Sequence, residues 1–119
     1  MSAGPGTGDA SMLEISEYKI AQVVLMSREL ERAEPELRAF LDRLNEDEAA
    51  SLVALMWIGR DSFDAEELAE AIATARAEAT TPTADYLIGT PHLSDHLENG
   101  ADALGLSLSD DEDDLIRGG

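Results

Sequence analysis

His92 and His96 stand four residues apart, with Asp95, Glu98 and Asp102 close by. On a helix that spacing turns both imidazoles to one side. Two imidazoles plus a carboxylate can begin a zinc or nickel site, so His92 and His96 are the candidate metal ligands. No glutamate follows the first histidine, so the zincin pattern is absent. Two imidazoles alone leave a tetrahedral site incomplete, and a pair of surface histidines near a helix start has the same spacing.

Trp57, Gly59 and Arg60 form the most distinctive cluster in the chain. An aromatic anchor beside an arginine fork can hold a carboxylate or phosphate. Together with Tyr86, Trp57 and Arg60 make the candidate recognition patch. The plainer alternative is that Trp57 fills the core, Gly59 ends a helix, and Arg60 pairs with Asp61 or Asp64. Tyr86 with Gly89-Thr90-Pro91 makes a helix–turn–helix corner. A DNA-reading helix needs basic side chains to meet phosphates, and Pro91 to Leu104 holds none.

Motifs for catalysis are missing. There is no Gly-rich phosphate loop and no serine elbow, and the hydroxyl-rich stretch Thr80 to Thr83 has no partner at a recognisable spacing. No catalytic residue and no cofactor is therefore expected, and an enzyme is disfavoured. Cysteine is absent, which excludes disulfides, thiol catalysis and cysteine-held metals.

The charge narrows the partners. With 26 acids against 8 bases, the net charge of the 119 residues is −18. That field repels nucleic acid and anionic lipid and favours a basic partner. The acidic surface could also imitate nucleic acid and occupy a basic protein groove; simple solvation is the bland alternative. Residues 12–105 alone hold 20 acids and 7 bases. Partial protonation near pH 5 should therefore relieve repulsion and stabilise the fold.

No apolar run approaches the roughly 18 residues of a membrane span. Met1 to Ala10 lacks the basic and apolar parts of a secretory signal, so a cytoplasmic protein is expected. Residues 1–11, rich in glycine, read as a disordered arm. Residues 106–119, with five consecutive acids from Asp110 to Asp114, read as an acidic disordered tail or a docking motif. The terminal Gly118-Gly119 matches that of ubiquitin-like modifiers, but the strand pattern of such proteins is missing.

The stretch between these ends, residues 12–105, should be one helical domain. Hydrophobic residues make up 44% of the chain and aromatics only 4%, so aliphatic side chains must fill the core. Ser16 suits the cap of a helix over 17–33, with Ile20, Val23, Val24 and Leu30 at helical spacing. Pro35 suits the first turn of a second helix, 35–44, with Leu37, Phe40, Leu41 and Leu44 on one stripe. Asn45 and Glu48 have capping-box spacing before a third helix, 46–59. Leu52 to Ile58 is an unbroken apolar run, which makes this helix the buried centre of a bundle. Gly59, free to take positive φ, is its natural stop.

Asp64 and Glu67 repeat the box for a helix over 65–79, whose alanines permit close approach to a neighbour. A short helix spans 83–88. Thr90 then caps, and Pro91 begins, a last helix over 91–104. Leu93, Leu97, Gly100 and Leu104 share its inner face, where Gly100 marks either a close crossing or a break. The fold expected is all-α, a small bundle of four to six helices. Trp57 and Met56 carry more apolar surface than one small domain readily covers, which points to self-association or a protein partner.

Two stretches carry a family resemblance. Glu36 to Glu48, running on through Leu52 to Asp61, is one; Thr83 to Leu93, followed by Asp95 and Leu97 to Gly100, is the other. Across roughly residues 13–105 the chain resembles the bacterial domain of unknown function 3775. The resemblance implies a small helical bacterial protein and brings no activity, ligand or catalytic residue. The family pattern carries leucine and tyrosine where His92 and His96 stand, so a role for these histidines would be particular to this chain.

Overall fold

Ser16 closes the first helix as expected: its Oγ accepts the Lys19 N–H at 3.1 Å. A computed structural model describes residues 12–106 and residue 108; the expected arm, 1–11, and nearly all of the expected tail lie outside them. The described residues run through α1 (Glu17–Arg28), α2 (Leu30–Asp42), α3 (Glu46–Gly59), α4 (Leu68–Ala77), α5 (Thr83–Ile88) and α6 (Leu93–Ala103), with no strand among them. The all-α bundle is thus the fold of this domain.

The first two helices divide elsewhere than expected. The helix expected over 17–33 ends at Arg28, and Glu29 bends the chain at φ −117°, ψ 44°. Its carbonyl then accepts the Arg32 and Ala33 N–H groups at 2.9 and 2.8 Å, which starts α2. Pro35 lies inside α2 rather than at its head. Proline there removes one backbone hydrogen bond on an exposed face. The bend at Glu29 folds α2 back on α1 and brings Leu37 and Leu41 into the core. Burial of two leucines, about 1.5–3 kcal/mol each, outweighs the lost bond.

α3 forms as its sequence dictates. The Glu48 N–H donates to Asn45 Oδ1 at 2.7 Å, and the Asn45 N–H donates to Glu48 Oε1 at 3.1 Å. From Ala50 to Ile58 every residue is buried. The domain covers this apolar rod by itself: Met56 is fully buried and Trp57 is 8% exposed. Met56 and Trp57, whose apolar surface suggested self-association, are thus largely covered within the domain. Ser51, fully buried, is satisfied because its Oγ accepts the Glu14 N–H at 2.9 Å.

α6 and α4 pack most closely on α3, α1 packs on α2 and α6, and α2 packs on α5. The α3–α6 crossing depends on two glycines. A Cβ on Gly59 would stand 1.6 Å from the His96 carbonyl oxygen, and one on Gly100 would stand 2.2 Å from the Leu55 carbonyl oxygen. Gly100 thus marks a close crossing. Gly59 serves the same contact and is not a positive-φ stop; the left-handed residue is Asp61, at φ 68°. Aspartate tolerates that region better than most residues.

The helix expected over 65–79 begins as a 3₁₀ turn, Ala65–Glu67, and becomes regular only over Leu68–Ala77. Its cap is present, with the Asp64 N–H donating to Glu67 Oε1 at 2.9 Å. α5 spans the expected residues. The last helix starts later than expected, at Leu93. Thr90 does not cap it; the Thr90 hydroxyl donates to the Tyr86 carbonyl at 2.8 Å and closes α5 instead. His92 takes a left-handed conformation, φ 59°, between the two.

Candidate functional site

The late start of α6 settles where the histidines stand. His92 precedes the helix and His96 lies within it, so the two do not share a helical face. The His92 side chain is 77% exposed, with Nδ1 3.9 Å from the Asp95 carboxylate. Among the described residues, no group of three or more histidine, aspartate and glutamate side chains gathers where a metal ion could be held.

The recognition patch divides in two. The indole N–H of Trp57 donates to the Tyr86 hydroxyl at 2.9 Å. The indole also stacks on Phe63, with ring centroids 5.6 Å apart and the planes inclined by 25°. Arg60 is set apart from this pair. It sits exposed at the end of α3, and its Nε–H donates to Ser62 Oγ at 3.1 Å rather than to Asp61 or Asp64.

Trp57 and Tyr86 form one end of a groove of about 460 Å³ between α3, α4 and the start of α5. The floor is made of small side chains, Ala49, Ala50 and Val53 from α3 with Ala75 from α4, and Ala79, just beyond α4, is exposed at its edge. Short side chains on facing surfaces leave space that leucines would fill. The rim is polar, with Glu46, Arg76, Glu78, Thr81 and Thr83. Arg60 does not line it.

The rim charges are not equivalent. The Arg76 guanidinium donates to the Asp47 carboxylate and ties α4 to α3 across the groove edge. Glu48, the third acid at the start of α3, is bound by Lys19 of α1, with Nζ 2.6 Å from Oε2. That ammonium, aided by the Asn45 N–H, holds the Glu48 carboxyl below its ordinary value despite some desolvation. Glu46 and Glu78 form no ion pair among the described residues.

Sequence reading anticipated Trp57 and Tyr86 but missed the groove between them and α4. Its only local signal was the run of alanines in α4, read as a device for close packing. Close packing holds at Ala71, which is fully buried; Ala75, and Ala79 one turn further on and beyond the helix, instead border open space.

No helix of the described residues is long and apolar enough to cross a membrane. No curated protein and no solved structure matches the chain. A family model described as protein of unknown function (DUF3775) matches residues 34–106, which span α3 to α6 and most of α2, with every lining residue of the groove. The chain therefore belongs to that family, the protein of unknown function family DUF3775.

Proposed function

We propose that this protein is an interaction module that receives part of a protein partner in the groove beside Trp57 and Tyr86. The observation that carries the reading is an open hollow with an apolar floor and an aromatic end, in a domain that otherwise covers its central helix completely. A volume of about 460 Å³ falls within the range of built ligand sites, about 300–1,000 Å³. The polar rim around an apolar floor is the arrangement of a recognition surface.

Binding rather than catalysis is favoured by the lining. Thr81 and Thr83 offer hydroxyls, but among the described residues neither is hydrogen-bonded to a histidine or carboxylate that could activate it. The aromatic hydrogen bond from Trp57 to Tyr86 fixes the end wall, and a rigid wall reduces the ordering cost of binding.

A photo-crosslinking phenylalanine analogue at Thr81, exposed on the rim of the groove, tests the reading in cells. It should trap one partner, whereas the same analogue at exposed Tyr18, which does not line the groove, should not. An adduct with a second copy would identify the partner as the chain itself. Equal yields at both positions, or none at Thr81, would remove the proposal.

A further inference from the structure

We infer that the occupant of this groove is a basic segment of another protein, with one apolar anchor side chain flanked by lysine or arginine. The inference rests on the groove being a partner site and adds the chemistry of the partner. Three acids open α3, namely Glu46, Asp47 and Glu48, and the last two are matched by Arg76 and Lys19. Glu46, on the rim, forms no ion pair among the described residues and has only the N-terminus of α3 to offset its charge. Across the groove, Glu78 stands at the C-terminal end of α4, where the helix dipole adds further negative potential. The groove's only lining cation among the described residues, Arg76, is occupied by Asp47.

The floor and the rim therefore ask for two things at once. Ala49, Ala75 and Ala79 leave room for an aliphatic or aromatic side chain against Trp57. Glu46 and Glu78 ask for cations on either side of it. The whole chain, at −18, attracts such a segment and repels an acidic one. Like charge also disfavours the chain's own run Asp110 to Asp114, and a second copy at −18 brings the same repulsion.

A displayed library of random short peptides, selected on the full-length protein and counter-selected on its Ala79→Trp variant, tests this. The tryptophan fills the groove from an exposed position. Peptides that bind only the open groove should be enriched in lysine and arginine beside an apolar residue. Synthetic copies should lose about 3- to 10-fold in affinity for a Glu46→Gln, Glu78→Gln double variant, and weaken as salt is raised. Groove-dependent peptides without excess basic residues, or with unchanged affinity for the double variant, would overturn the inference and leave the groove reading standing. Recovery of no groove-dependent peptide would overturn both.

Discussion

At the scale of single residues, the structure turns on polar groups that find unexpected partners. Ser51 lies fully buried in an otherwise apolar helix, yet its Oγ accepts the Glu14 N–H and so pins the segment before α1 to α3. Removing the acceptor leaves a backbone donor without a partner beside the core. Ser51→Ala should cost about 0.5–1.5 kcal/mol of stability in denaturant unfolding. It should also speed amide exchange at Glu14 more than in α6; equal protection there in variant and parent would contradict the pinning role. Thr90 shows the same principle, because its hydroxyl serves the helix behind it and not the one ahead.

At the scale of elements, the α3–α6 crossing is the tightest contact in the bundle. Replacing a helical glycine with alanine ordinarily gains about 1 kcal/mol of propensity. Here the added methyl would meet backbone carbonyl oxygens at 1.6 Å from Gly59 and 2.2 Å from Gly100, and backbone cannot swing aside as a side chain can. Overpacking of this kind costs about 1–3 kcal/mol or more, so the strain outweighs the gain. Gly59→Ala and Gly100→Ala should each destabilise the protein in chemical denaturation. Stability equal to the parent in both would show that the helices can part without loss.

The helix boundaries teach a related lesson. The Asn45–Glu48 box was legible because both partners lie three residues apart in the chain. The break at Glu29 was not, because neither glycine nor proline marks it; the burial of Leu37 and Leu41 decides it. Pro35 sent the sequence reading to the wrong position, since an exposed proline early in a helix costs less than leaving those leucines in water.

At the scale of the whole molecule, few cations serve a strongly acidic surface. Lys19–Glu48, Arg28–Glu98, Arg38–Asp85 and Arg76–Asp47 each join two different helices, so the bases act as cross-ties. Two effects then set the response to acid. Added protons lower a net charge of −18 and relieve repulsion. Against this, the Glu48 carboxyl is held below its ordinary 4.5 by Lys19 and the Asn45 N–H. A carboxyl lowered on folding contributes stability that is in place above its unfolded value and disappears as pH falls through its folded value. The melting temperature should therefore rise from pH 7 to 5, where Glu48 still holds its charge, and fall further into acid. Glu48→Gln should lessen that acid-side fall. A steady decline from pH 7 to 5 would show that relief of repulsion does not control the fold.

By itself the sequence determined that this is an all-helical domain built on the buried rod Leu52 to Ile58, because caps and apolar periodicity act between residues a turn apart. It also determined the acidic field, which is additive over side chains wherever they fall. Tertiary structure alone decided that α1 turns back at Glu29, that His92 stays outside the helix that holds His96, and that Trp57 and Tyr86 meet without Arg60. It decided the groove as well. Empty space depends on how far apart two helices are held by all their other contacts, and no local pattern of alanines carries that distance.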